Sequence, residues 1–414
     1  MNRRQFIKMG VGAAVSLSAG CSISNTTDST ATSGEQEPIP LKEYERTRVL
    51  KDANGWLNAQ PGSVTYSRSP RGPSDIHEYF SEPDYWWPDP KNPTGPYISR
   101  DGYSNPDNFL DNRLAMIRLS QIVPAMAAAY LITGDPKYAT VAAAHLRVWF
   151  LDPATYMKPN LEYAQMSHGA KIGGRIGIID TLHLTEVARS IPILEYSGEI
   201  SPSESDGLRE WFAEYITWMD TSKLGIAERD CANNHATCWI VQAASFSHLT
   251  GNDKVFTQCR DLLVKSKIPG QIAANGSLPL ELKRTKPYSY SLFDMDMLGI
   301  ACQILSHPQE APLIPPPGDT TLWTITNSKG GSVEKVIEFY YPYIVDRNAW
   351  PYPHDVEYWG DFPVRNPTLL FAGLVLKQPK YIDLWKTLDP DPTVGEVIRN
   401  WPVRQPVLWV DASV

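Results

Sequence analysis

The sequence predicts an all-α fold, an α/α toroid made as an incomplete barrel of helical hairpins with a long Pro-rich lid loop. Three observations predict it. From about residue 107 onward, apolar residues recur at helical spacing in one segment after another. Alternation of period two is scarce, so strands are minor. A weak repeat of helix end, polar turn and new helix start suggests an array or toroid of hairpins that bury their faces on neighbours, the alternative being an irregular helical domain.

The segment 114–133 has helical spacing with an Ala-rich small face, Gly134 as its stop, and Pro124 as an expected kink or split. Pro136 opens the next helix, running to about Phe150. Further helical stretches cover 179–190, 203–219, 235–249, 254–267, 292–306, 332–345 and 369–376. The repeat lies in Tyr130-Leu-Ile-Thr-Gly-Asp-Pro-Lys-Tyr138, echoed by Ser247-His-Leu-Thr-Gly-Asn-Asp-Lys-Val255 and faintly by Leu374-Val-Leu-Lys-Gln-Pro-Lys-Tyr381. Residues 61–106 are dense in Pro and Gly and read as a structured loop of functional length. Residues 307–331, with Pro315-Pro316-Pro317, are a second irregular excursion.

The 414 residues carry a net charge of −8, so no basic surface points to nucleic acid, and a polyanionic ligand must meet local Lys and Arg. The 13 Trp, 20 Tyr and 11 Phe suit either a core or a cleft that sets flat rings against sugar faces. Asn2-Arg3-Arg4-Gln5-Phe6-Ile7-Lys8 resembles a twin-arginine export signal, and the apolar run from Met9 to Ala19 is too short for a permanent span. Leu17-Ser18-Ala19-Gly20-Cys21 resembles a lipoprotein processing site, with Ser18 where Leu is usual, making Cys21 a candidate lipid anchor. The expected organisation is a signal over 1–21, a flexible linker over 22–40 and one domain over 41–414, in an exported, periplasmic or membrane-anchored protein. Cys231 and Cys238, seven apart, would lie ~10 Å apart along a helix axis, too far to bridge. No cysteine has zinc-site spacing, and buried free thiols are expected.

Chemistry could sit in three places. Asn233, Asn234 and His235 stand at a helix start, where Asn can cap and His can be a satisfied interior residue. Glu281, Lys283, Arg284, Lys286, Tyr288 and Tyr290 crowd together, either as a solvated charged stretch or as a phenol whose pKa a cation lowers. In the Pro-rich loop, Tyr85, Trp86 and Trp87 are costly to expose without a role, either pinning the loop or meeting sugar.

Six ordered blocks then resemble the alginate lyase superfamily of polysaccharide lyases. They are Tyr85-Trp-Trp-Pro-Asp-Pro-Lys-Asn-Pro-Thr-Gly-Pro-Tyr97, Trp149-Phe-Leu-Asp-Pro-Ala-Thr155, Pro159-Asn-Leu-Glu-Tyr-Ala-Gln165, Gly174-Arg-Ile-Gly-Ile-Ile-Asp180, Asn233-Asn-His235, and Pro279-Leu-Glu-Leu-Lys-Arg-Thr285 with Tyr290-Ser-Leu-Phe293. The likeness runs from about residue 74 to about 355 and is nearer the branch that includes glucuronan lyases. It implies metal-independent β-elimination without a cofactor. The substrate would be a β-1,4-linked anionic polysaccharide, polymannuronate or glucuronan, left with unsaturated uronate ends.

The resemblance implies that Asn234, with Arg284 or a protonated His235, neutralises the uronate carboxylate, and that Tyr290 is the acid and, for same-face elimination, also the base. His235 would be the base for opposite-face elimination. The spacing from Arg284 differs by one residue from the periplasmic alginate lyases, so Tyr288 rivals Tyr290. Gln165, His168 and Arg175, together with Tyr85, Trp86 and Trp87, are expected to bind substrate, with Arg175 equally open to a structural ion pair. Two other readings compete. A glycoside hydrolase would need paired carboxylates from Glu78, Asp84, Glu281 or Asp294, and a glycan-binding lipoprotein would need no acid–base set.

Overall fold

The computed structural model describes residues 38–414; the export motif, Cys21 and all but the end of the linker lie outside the described residues. Helices α1 (Leu41–Trp56), α2 (Asp111–Thr133), α3 (Pro136–Leu146), α4 (Leu184–Ser197), α5 (Pro202–Thr221), α6 (Lys223–Arg229), α7 (Asn234–Thr250) and α8 (Asp253–Leu262) form the first part. After them come α9 (Ile268–Gln271), α10 (Pro279–Leu282), α11 (Pro287–Leu305), α12 (Thr321–Thr324), α13 (Val333–Val345), α14 (Pro367–Val375), α15 (Pro379–Thr387) and α16 (Gly395–Arg399). The described strands are β1 (Trp86–Trp87) and β2 (Ile98–Ser99), a two-residue antiparallel ribbon.

Helices α2, α4, α7, α11 and α14 pack in succession as an inner row. Against them lie α3 on α2, α5 and α8 on α7, α13 on α11, and α15 on α14. The turn Pro406–Leu408 touches α1, α2 and α4. This is the expected incomplete α/α toroid. The inner position shows in burial: every residue of α11 is buried, the polar Asp294, Asp296 and Gln303 included. The outer α5 buries one stripe, Leu208, Trp211, Phe212, Tyr215, Ile216 and Met219. One continuous core reaches from Leu41 to Val410.

The repeat seen in the sequence is a repeated turn. Gly134 and Gly251 both end a helix with positive φ, 70° and 71°, and Asp135 and Asn252 then cap the next helix by accepting from Lys137 and Val255 N–H. In the third, faint copy Lys377 takes the left-handed place at φ 54°, and Gln378 caps nothing.

Several boundaries differ from expectation. Pro124 does not split α2, which is helical throughout. The expected helix at 179–190 begins as a 3-10 segment, Gly177–His183, before α4. Both 136–150 and 254–267 finish in wider π turns, Arg147–Leu151 and Leu263–Lys267. Helices α1 and α15 were not expected. The four cysteines Cys231, Cys238, Cys259 and Cys302 are free and buried, as expected.

Candidate active site

A cleft cavity of about 140 Å³ gathers Tyr85, Trp86 and Asp101 of the long loop, Gln165 of the 152–176 segment, Asn234 and His235 at the start of α7, and Arg284 and Tyr290 around the start of α11, with further lining from α2, the 177–183 segment and the end of α16. The four residues that the resemblance made catalytic therefore share one cavity, although their sequence positions span 234 to 290.

Asn233 occupies the N-cap position of α7 in extended backbone, without a side-chain cap bond. Asn234 is buried, and its backbone N–H donates to Glu281 Oε1 at 3.1 Å, so its amide is left to line the cavity. Glu281 is fully buried, and Arg284 Nη1 lies 3.6 Å from its Oε2. Burial pushes the Glu281 carboxyl up, and burial followed by the charge of Glu281 holds Asp294 well above the usual carboxylate range. The protonated form is thus favoured more strongly at Asp294 than at Glu281, which faces Arg284. His235 turns Nδ1 to Glu228 Oε1 at 2.8 Å, and Glu228 has no exposure.

Arg284 is gripped by Asp101, Nε to Oδ2 at 3.0 Å and Nη2 to Oδ1 at 2.7 Å, a bidentate pair across 183 residues of chain. Its guanidinium carbon stands 4.3 Å from the centre of the Tyr290 ring. Burial lowers the Arg284 pKa, but the bond to Asp101 and the neighbouring Tyr290 outweigh it, leaving the group more firmly charged than usual. Tyr290 is 6% exposed, and its hydroxyl lacks a hydrogen-bond partner of good geometry. Burial pushes its pKa up, and Arg284 pulls it down by less. The lowering expected from the sequence is therefore outweighed: without substrate the phenol is a held proton. Tyr85 and Tyr290 shift each other's titration, though no normal hydrogen bond joins their hydroxyls.

Tyr288 sits elsewhere. It is buried, donates its hydroxyl to Tyr343 O at 2.8 Å, and packs edge-on against Trp350 and Trp359. Two positions apart near a helix N-terminus, the two tyrosines point to different sides of α11. Pairing of β1 with β2 separates the two tryptophans in the same way. Trp86 lines the cleft, whereas Trp87 donates Nε1–H to Tyr103 O at 2.9 Å and lies under Arg100 at 5.1 Å.

Gln165 adopts positive φ (49°) and donates its amide to Asp180 Oδ1 at 2.8 Å at the cleft edge. His168 stacks on Tyr97 at 3.7 Å and lies 3.2 Å from Glu82, outside the residues lining the cavity. Burial, then Arg71, lowers its pKa, which favours the neutral ring. Arg175 is exposed and, among the described residues, makes no ion pair; its charge is felt by Glu228. The carboxylates a hydrolase would need are committed: Asp84 pairs with Arg113 and Arg399, Glu78 with Lys158, and Glu281 and Asp294 lie behind Asn234.

Sequence reasoning missed the floor. Arg113 bridges Asp84 and Asp180, with Asp180 Oδ1 at 3.1 Å. Arg399 pairs with Asp84 and Glu396 and donates to the Tyr85 hydroxyl at 2.6 Å, which in turn donates to Glu396 at 3.1 Å. Asp180 ends one of the resembling blocks, a usable signal. Asp101, Arg399 and Asn400 had none. A larger cavity of about 370 Å³, between α1 and the C-terminal segment, contains none of the residues expected in the site.

The alginate lyase family profile matches residues 63–350, more than half of the chain. The chain belongs to the alginate lyase family. It is a polysaccharide lyase. The solved alginate lyase from Bacteroides ovatus is 28% identical to this lyase, covers 89% of this chain and 96% of its own, and superposes with a TM-score of 0.76. Alginate lyase A1-III from Sphingomonas species A1 is 14% identical, with 83% and 90% covered and a TM-score of 0.47. A tetrasaccharide complex of A1-III is 13% identical, with 90% and 94% covered and a TM-score of 0.50, a likeness of fold alone. No curated protein sequence matches the lyase.

Proposed function

We propose that this lyase cleaves a β-1,4-linked uronic-acid polymer, polymannuronate or glucuronan, by β-elimination in the cleft. The observation that carries the reading is the buried, unpartnered Tyr290 hydroxyl sharing one cavity with Asn234, His235 and Arg284. A proton beside a carboxylate anion is barely acidic, so that carboxylate must be neutralised as negative charge builds up. The free amide of Asn234 and the charged Arg284 are placed to do this. Once Tyr290 has released its own proton to solvent, the phenolate held beside Arg284 takes the C5 proton and returns it to the departing C4 oxygen when both lie on one face of the sugar. Where they lie on opposite faces, as in guluronate, His235 is the base and Tyr290 the acid.

Trp86 and Tyr85 supply flat and polar surface for neighbouring sugars, and Gln165 and the unpaired Arg175 contact hydroxyls or carboxylates at the rim. The 61–106 loop gives Tyr85, Trp86 and Asp101 to the cleft wall, which supports its reading as a lid. The solved B. ovatus relative, described as an alginate lyase, supports alginate as the first polymer to test. Export through residues 1–21, with lipid attachment at Cys21, belongs to the same proposal. The test is ultraviolet absorbance of unsaturated uronate ends on polymannuronate, polyguluronate and glucuronan. Absorbance is expected with polymannuronate or glucuronan; absorbance only with polyguluronate would overturn the same-face assignment to Tyr290.

A further inference from the structure

We propose that Glu228 is a positioning residue for His235, holding the imidazole with its Nδ1–H turned inward so that Nε2 is offered to the bound sugar. This rests on the elimination reaction proposed above. Glu228 lies at the end of α6, which packs on α7, seven residues before His235. Its side chain has no exposure, Oε1 lies 2.8 Å from His235 Nδ1, and Oε2 has no hydrogen-bond partner. A carboxylate so far from water is costly unless it faces a donor. Among the described residues the one donor in hydrogen-bond reach is the imidazole, whose other nitrogen has no protein partner and whose ring lines the cavity.

An ionised carboxylate can only accept, so an ionised Glu228 fixes the proton on Nδ1. Nε2 then carries the lone pair and is left to the cavity, where it can accept the C5 proton. The titratable groups facing the pair come from several elements: Arg175 and Asp180 from the 174–183 segment, Tyr215 of α5, Cys231 after α6, Cys238 of α7 and Glu281 of α10. Burial pushes the Glu228 carboxyl up, while His235, and less strongly Arg175, draw it back down.

Nitrogen NMR of the full chain labelled at histidine reads the tautomer directly. In the wild type His235 should show a protonated Nδ1 and a bare Nε2. Glu228→Gln is isosteric but can turn an amide N–H toward Nδ1, which moves the ring proton to Nε2. That variant should reverse the tautomer and lower kcat about 10- to 100-fold with KM little changed, the scale seen when a histidine's supporting partner is lost. In a His235→Ala background the Glu228→Gln change should add no further loss, whereas a purely structural glutamate would lower activity in both backgrounds. A wild-type ring protonated on Nε2, or full additivity of the two substitutions, overturns the proposal. Absence of unsaturated product from the wild type would instead sink the elimination reading, and the tautomer comparison would still decide the role of Glu228.

Discussion

Arg284 stands 4.3 Å from the centre of the Tyr290 ring while its Nε and Nη2 hold Asp101 at 3.0 and 2.7 Å. One guanidinium is therefore both fixed by the long loop and set against the phenol proposed to transfer the proton. Loop and chemistry are tied through a single side chain.

Tyr290→Phe should remove turnover by about 10²-fold or more and leave binding of the polymer nearly intact, since one hydroxyl carries acid–base work. Tyr288→Phe should keep activity. It loses the bond to Tyr343 O and should cost about 1–2 kcal/mol of stability instead. Steady-state kinetics and urea melts of the two variants separate these outcomes.

Asp101→Ala releases Arg284 from its only bidentate partner among the described residues. A guanidinium free to drift by about 1 Å should lower kcat/KM roughly 10²-fold. Kinetics on the preferred polymer check this, and an unchanged kcat/KM would show that Glu281 alone holds the group in place.

Arg399 bonds Asp84, Glu396 and Tyr85 with only 20% of its side chain exposed. Arg399→Met removes charged hydrogen bonds while Asp84 keeps Arg113 and Glu396 keeps Lys286, and should cost about 1.5–3 kcal/mol. Denaturant titration reads it. A loss of activity without loss of stability would place Arg399 in contact with substrate.

His145 is almost fully buried with Nε2 3.2 Å from Ala59 O, and burial lowers its pKa to about 4. Its folded pKa is depressed below the unfolded value near 6.5, so its contribution is full above pH 6.5 and is lost as pH falls toward 4. The drop is on the order of 3 kcal/mol. In His145→Gln, urea midpoints between pH 7 and 4 should fall less steeply than in the wild type.

The toroid was legible because each inner helix carries its own period and because the turn at Gly134 is copied at Gly251. Helix α1 was not read, because Glu43, Glu45, Arg46 and Arg48 interrupt its apolar period; Glu45 is buried only by pairing with Arg48 and Arg365. Asn234, His235, Arg284 and Tyr290 were singled out through the blocks that resemble the alginate lyase family, and they line one cavity; taken alone, each block read equally as a helix cap or a solvated charged stretch. Choosing between Tyr288 and Tyr290 was beyond the sequence, because both lie at the start of one helix and only packing on Trp350 and Trp359 turns one of them away. Asp101 and Arg399 were illegible for another reason: each is an ordinary charged residue whose partners across the cleft, Arg284 for one and Asp84 and Tyr85 for the other, lie 183 or more positions distant.

The central claim is that the glycosidic bond breaks by elimination and not by addition of water. Digestion of polymannuronate and glucuronan in heavy-oxygen water, followed by mass spectrometry of the oligosaccharides, tests it most directly. Products should carry no heavy oxygen and include chains one water lighter than the hydrolytic fragment, with Tyr290→Phe giving none. One heavy oxygen incorporated at each new end would contradict the account.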